Sequence, residues 1–210
     1  MNLSKRLEAV ATLVDVGKRV IDVGCDHAYL DIYLTENNEN ICIATDINKN
    51  AIQIAKKNVK AKNLEEKIQV IQTDGLENID VKSEDNIVIS GMGTFTILHI
   101  LETNNLSNTL IISSNNDIEL LRKNVINLGY KIDTEIFLFD KGIPYIIIKF
   151  IRGYKKYSKR DIRLGPILKN NIEYKAYLIK KYKTISKKVP KYKIFIKIKY
   201  KFKTILLKLF

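Results

Sequence analysis

Between Arg19 and Arg152, short apolar runs alternate with longer stretches whose apolar residues recur every three or four positions. The runs "RVIDV", "ICIATD", "KIQVIQTD", "DNIVISG" and "TLIISS" are β-branched and too brief for helices, so they predict five strands. Helical periodicity fills the gaps: a helix begins at Ala28–Leu34, and "NKNAIQIAKKNVKAKN" puts Ala51, Ile54, Ala55 and Val59 on one side. "TFTILHILE" and "NDIELLRKNVINLG" predict two more helices, the second ending at Gly129. Upstream, Leu3–Val14 reads as an entry helix capped by Ser4, with Leu7, Val10, Ala11 and Val14 on one face.

Strands separated by helix-length segments imply parallel β-α-β units, and strands this apolar need cover on both faces. The expected fold is therefore α/β, a doubly wound, Rossmann-like sheet. "YKIDTEIFLF" and "IPYIIIKFI", joined through Lys141-Gly142, add an antiparallel edge hairpin. This layout makes residues 1–152 one domain of ordinary size. Residues 153–210 read as a small, basic, α-helical domain. Ile172, Ala176, Ile179 and Tyr182 stand at helical spacing in a helix opened near Pro166 and broken at Pro190. Beyond it two patterns coexist. Lysine–apolar alternation over 191–203 fits a strand, whereas Phe195, Ile198, Phe202, Ile205 and Leu209 fit the second arm of a helical hairpin, the reading adopted.

Charge sharpens this division. Residues 151–210 hold 20 of the 36 basic residues and 2 of the 23 acidic ones, a balance of +18 that leaves −5 on residues 1–150. A basic tail on a mildly acidic body implies a polyanionic partner, nucleic acid first and an anionic membrane surface second. No apolar run approaches the roughly 18–20 residues of a membrane span, and the charged N-terminus is unlike a signal peptide. Cys25 and Cys42 match neither a disulfide framework nor a metal spacing. A cytoplasmic setting without membrane or metal is expected.

In open parallel sheets, ligands sit beyond the carboxyl ends of the strands. Four segments fall there: Asp22–Tyr29, Asp46-Ile47-Asn48, Asp74-Gly75-Leu76 and Ser90-Gly91-Met92-Gly93. Asp46 follows Gly24 by 22 residues, near the offset at which an acid accepts hydrogen bonds from a ribose diol. Yet Asp26 and His27 occupy the turn where a pyrophosphate needs bare glycine amides. A nucleoside ligand without phosphate and with positive charge removes the conflict, and S-adenosylmethionine meets both conditions. Aspartates are ordinary helix caps and turn residues one at a time. Four such segments in this order are not ordinary. The Asn/Asp-Pro-Pro-aromatic segment shared by methylases of exocyclic amines does not follow the fourth strand, and no cysteine is placed to attack a pyrimidine. A ring nitrogen acceptor requires neither.

The stretches "LSKRLEAVATLV", "VIDVGCDHAYLDIYL", "DINKNAIQIAKKNV", "DGLENI", "ISGMG" and "NDIELLRKNVINLGYKI", with "PYIIIKF" and "LGPIL", resemble the bacterial tRNA (adenine-22)-N1-methyltransferase family over residues 3–168. That resemblance implies a class I methyltransferase domain, a coiled-coil-like C-terminal domain, S-adenosyl-L-methionine as donor and tRNA as substrate. It implies that Asp22 and Gly24 line the donor site with Asp26, His27 and Tyr29, the last three being the candidate catalytic residues. Asp46 and Ile47 then hold ribose and adenine, Asp74 and Gly75 the adenine edge, while Gly91, Met92 and Gly93 face the donor methyl and the incoming base. Two positions depart from the family pattern: Thr94 replaces a glycine after Gly-Met-Gly, and Ser113-Ser114 replaces Gln-Pro before Asn115. Two alternatives stay open: an RNA-binding protein that kept the fold without transfer, and a methyltransferase for another substrate.

Overall fold

The computed structural model describes residues 3–190 and 193–209. Helix α1 (Lys5–Ala11) is capped by Ser4, whose Oγ accepts from the Leu7 amide at 3.3 Å. Strands β1 (Val20–Val23), β2 (Cys42–Asp46), β4 (Asn86–Met92) and β5 (Thr109–Ser114) are followed by helices α2 (Tyr29–Asn38), α3 (Lys49–Ala61), α4 (Thr94–Thr103) and α5 (Ile118–Asn127), while β3 (Ile68–Gln72) passes to β4 through turns alone. Strands β6 (Tyr130–Asp140) and β7 (Ile143–Arg152) form the expected hairpin across Lys141-Gly142. The sheet order is β3-β2-β1-β4-β5-β7-β6, with β7 antiparallel to β5 and β6 on the outer edge.

All four residues of β1 are buried, as a strand paired in parallel on both sides requires. Alternation then divides them between two cores. Val20 joins α1, α2 and α3, while Ile21 and Val23 join α4 and α5. The two-residue period turns Asp22 to the α2 side at the strand's carboxyl end. On α3 the buried residues are Ala51, Ile52, Ala55 and Val59; Ile54, expected inside, is 41% exposed.

The C-terminal region departs from its sequence reading in register. Lys159–Leu164 forms its own short helix, α6, with a Ser158/Asp161 capping box. Gly165, at φ +87°, ends it, and a single 3-10 turn, Leu168–Asn170, follows. Helix α7 (Ile172–Lys188) therefore opens at Asn171, whose side chain accepts from the Tyr174 amide, and not near Pro166. Ile172 is exposed, and the face it was expected to head is led by buried Tyr174 and Leu178 instead, against Phe137, Leu164 and Leu168. Helix α8 (Ile194–Leu209) packs on α7, so the second arm is a helix. Its inner side carries Thr204, Leu207 and Tyr200, whose ring meets Tyr182 at 5.8 Å. Phe195, Ile198, Phe202 and Ile205, the residues that suggested the helix, face outward; the Leu209 side chain lies outside the described residues. Among the described residues no helix is long and apolar enough to cross a membrane.

A fully buried ion pair joins these parts. Arg122 Nε of α5 donates to Glu135 Oε1 of β6 at 2.7 Å, with both side chains at 0% exposure. Glu135 Oε2 accepts from the amides of Ile167 and Leu168 at 3.0 and 3.3 Å, and Arg122 Nη1 reaches the carbonyls of Ile162 and Arg163 at 3.4 and 3.5 Å. Gly165 must lack a side chain here: a Cβ would stand within 2.7 Å of both charged groups. Truncating one partner strands the other charge in the core. Arg122→Leu is therefore expected to cost about 3–5 kcal/mol in urea unfolding, with Glu135→Leu costing a similar amount.

Candidate active site

The loop after β1 folds back through three left-handed residues within five positions: Gly24 (φ +80°), Asp26 (φ +52°) and Ala28 (φ +56°). An alanine in this region is strained by roughly 1–2 kcal/mol, so the surrounding structure over-determines the turn. The amides of Gly24 and Cys25 both donate to the Thr45 carbonyl, at 2.8 and 2.9 Å. The Asp26 amide then reaches Asp46 Oδ2 at 3.1 Å, while Asp46 Oδ1 accepts from the Asn48 amide at 2.8 Å. The loops after β1 and β2 are thereby locked together on one side of the crevice between β1 and β4, where the strand order reverses.

The result is a cavity of about 280 Å³ whose walls include Arg6, Asp22, Gly24, Asp26, His27, Tyr29, Ser90 and Gly91. Gly24 forms its floor. A Cβ there would collide with Met92 Cε, so Met92 lies directly across the crevice between the β1 and β4 ends. His27 Nε2 lies 3.4 Å from Asp26 Oδ1, and its ring meets Tyr29 edge-on at 5.6 Å. Asn58 Nδ2 holds the His27 carbonyl at 3.0 Å, fixing the loop to α3. Arg6 reaches in from α1 and donates to Ser90 Oγ at 2.6 Å.

Asp22 is the cavity's deepest acid. Burial pushes its carboxyl up to about 7, against opposing pulls from Asp31 and Arg6. Asp31, on α2, is wholly inaccessible, and neither of its oxygens meets a donor group of another residue. Its neighbour is Asp22, and burial first, then the Asp22 charge, raise its own carboxyl well above the usual range. Two buried carboxyl groups at contact hold a hydrogen bond only when they share a proton, and the pair titrates as a unit. The Cys25 thiol is likewise driven up, mainly by burial, which makes it an inert turn filler.

The structure thus gathers Asp22, Gly24, Asp26, His27, Tyr29 and Gly91 around one cavity, with Asp46 bound to its rim and Ile47, 65% exposed, beside it. Gly93 caps α4. Asp74 and Gly75 are set apart. They line a second depression of about 270 Å³ with His99 and Thr103, linked to the β1–β2 region by Thr45 Oγ1, which donates to the Gly75 carbonyl at 3.3 Å. Sequence reasoning missed Arg6, Ser90 as a side chain, and Asp31. Only Asp31 carried a signal, as an acid inside the apolar stretch "YLDIYL". Arg6 came from a helix whose packing no local pattern discloses.

This strand order, with β7 antiparallel between β5 and β6, is the class I methyltransferase sheet, and a family model described as a methyltransferase domain matches residues 3–148. The tRNA (adenine(22)-N(1))-methyltransferase of Bacillus subtilis (strain 168) is 33% identical over 193 residues, which span 87% of this chain and 80% of that protein. The structure of M. capricolum TrmK in complex with S-adenosyl-homocysteine superposes with a TM-score of 0.84 at 31% identity, covering 98% of this chain and 96% of that one. The B. subtilis M1A22 tRNA methyltransferase TrmK superposes with a TM-score of 0.84 at 27% identity, covering 99% and 97%. The chain belongs to the tRNA (adenine-22)-N1-methyltransferase family.

The carboxyl pair has a measurable consequence. Between about pH 4 and 7 the folded chain keeps a proton that the unfolded chain has released, so stability falls as pH rises through that window. Asp31→Asn supplies a neutral donor to Asp22 and removes the second acid. Thermal unfolding at pH 5, 6.5 and 8 should show a shallower decline for the variant. At pH 8 it should melt higher by about 3 °C or more, since a tenfold change in proton affinity on folding is worth about 1.4 kcal/mol.

Proposed function

We propose that this protein transfers the methyl group of S-adenosylmethionine to N1 of adenine 22 in tRNA. The observation that carries the reading is the cavity lining: Gly24 lies beside Asp22 and Asp26, with Asp46 held at the rim on the Asp26 amide, an arrangement that disfavours a pyrophosphate and suits a cationic nucleoside. Asp22 faces the donor's ammonium, and Asp46, pinned between two amides, accepts from the ribose hydroxyls. Ile47 covers one adenine face, with Asp74 and Gly75 taking its edge across the β2–β3 rim. Gly91, Met92 and Gly93 leave room between the β4 end and the reacting atoms.

The bound donor supplies an electrophilic methyl on a positively charged sulfur. The protein's residues do the rest. Adenine N1 carries a lone pair and no proton at neutral pH, so no general base is required; orientation and exclusion of water supply the rate. N1 lies on the Watson–Crick edge, so the base must be unpaired on arrival. Tyr29, 41% exposed and braced edge-on by His27, offers it an aromatic face. Methylation leaves the base positively charged, and the Asp26 carboxylate at the mouth favours that charge. Residues 153–210 act as a separate basic domain that grips the tRNA phosphates, and the setting is the cytoplasm.

Purified protein, labelled S-adenosylmethionine and unmodified tRNA bearing adenine or guanine at position 22 test this directly. Label recovered as N1-methyladenosine from the adenine tRNA alone is expected; label in both, or in neither, rejects the assignment. Donor binding should also depend on pH. With the Asp22 carboxyl at about 7, seating the ligand's ammonium against it expels its proton. Calorimetric affinity for S-adenosylhomocysteine should therefore weaken by about tenfold for each pH step of one below pH 6 and level off above pH 8. Asp22→Asn should lose that slope and bind more weakly than the wild type above about pH 7, the two converging as the pH falls.

A further inference from the structure

The turn that follows β5 opens onto a second cavity, of about 460 Å³, enclosed by the β6–β7 hairpin and α7. It runs into an open, largely apolar depression of about 570 Å³ along α7, and the two share Pro144, Tyr177 and Lys181 as a common wall. At its other end the groove starts beside the donor cavity. Asn115, on its lip, donates through Nδ2 to the Gly91 carbonyl at 2.6 Å and through its amide to the Met92 carbonyl at 2.9 Å. The two depressions lie on either side of Tyr177 and Lys181, so a path from the β4 end to the lysine-rich helices crosses these two side chains.

Three chemistries line it. Tyr177 stacks on Phe137 at 5.3 Å and 28°, with Phe139 edge-on at 5.9 Å, giving a rigid aromatic wall. Lys181 stands over the Tyr177 ring at 5.6 Å, and Lys180 and Arg163 add positive charge at the rim. Asp117 and Glu119 supply acceptors where the turn meets the cavity. An aromatic wall, rim cations and inner acceptors match the ring, the phosphate and the amino or imino edge of an unpaired nucleotide. A purely apolar ligand uses neither the cations nor the acids, and a duplex is too wide for a groove of this volume.

We infer that this groove holds the tRNA nucleotides next to the methylated adenine, splayed as a single strand, with one base against Tyr177 and a phosphate on Lys181. The inference rests on the proposed tRNA reaction and gives it a substrate path. It also gives α7 a task that a general basic surface lacks: it sets the direction from which the strand enters.

The test uses the full chain and tRNA with adenine 22. Lys181→Glu reverses one exposed rim charge, and Ala176→Trp fills the depression from an exposed position, so neither disturbs the core. Both should raise KM for tRNA by about tenfold, with affinity for S-adenosylhomocysteine unchanged; Lys181→Ala should lower the salt dependence of tRNA binding by about one ion. Lys60→Glu, on the exposed side of α3, serves as the control and should change neither. A photoreactive phenylalanine at position 177 should cross-link to nucleotides adjoining position 22. Normal KM values in both groove variants, or cross-links to a distant part of the tRNA, would reject the groove while wild-type methylation upheld the reaction. Absence of methylation by the wild-type chain, with donor binding intact, would remove the reaction and the groove together.

Discussion

The buried pair between Arg122 and Glu135 is the joint on which the two halves of the molecule depend. Helix α6 and the turn after it bury few apolar side chains of their own. Their backbone carbonyls and amides end instead on these two charges, at the outer edge of the sheet. A buried pair adds little net stability compared with an apolar filling, but each of its hydrogen bonds has a direction. That direction fixes where α7 begins, and so which of its residues lie over Phe137. Tyr174, Tyr177 and Leu178 follow from it.

Electrostatics divides the same surface. The cavity is lined by Asp22 and Asp26, and behind it lies the fully buried Asp31; the carboxyls of Asp22 and Asp31 are each pushed up mainly by burial. The helical tail gathers lysines. On the proposed reading, a cationic donor and an anionic polymer are thus drawn to different regions. Asp26 and His27 stand near the boundary, both solvent-accessible, where a base leaves the basic surface and meets the acidic one. The field of a lysine-rich tail is long-ranged and screened by salt, whereas the field of acids in a cavity acts on a ligand already inside it.

Much of this was legible in the residues because parallel β-α-β chains impose two short periods. Every predicted strand from "RVIDV" to "IPYIIIKFI" is present, and the strand ends carry the acids expected of them. What escaped was register on helices with competing apolar faces. Ile52 and Ile54 are equally apolar, and only the docking of α3 on β2 and β3 selects the first. On α8 the largest apolar residues drew attention to one stripe, while the packing against α7 uses Tyr200, Thr204 and Leu207. Asp74 followed its strand as expected, but the turn after β3 opens towards α4, so it lines a depression with His99 and Thr103 that is separate from the cavity after β1. Long-range partners were invisible: Arg6 meets Ser90 across 84 positions of sequence.

The two departures from the family pattern turn out to be a single feature. Thr94 and Ser114 are both buried, and their hydroxyls lie 2.8 Å apart. Each hydroxyl has one proton to give. Both hydroxyls also reach the Asn116 carbonyl, Thr94 Oγ1 at 2.6 Å and Ser114 Oγ at 2.9 Å, so the pair and that carbonyl form one hydrogen-bonded cluster. The Thr94 amide in turn donates to Asn116 Oδ1 at 2.9 Å. A glycine at 94 would leave the Ser114 hydroxyl without this partner, and a proline at 114 would leave the Thr94 hydroxyl without its own. The residues are compatible with each other and less so with the alternatives taken singly. Together they hold the Asn115–Asp117 turn in place, including the left-handed Asp117, at the boundary between donor cavity and groove. The buried hydroxyls thus hold this strand end together beside the cavity lined by Gly24 and Gly91.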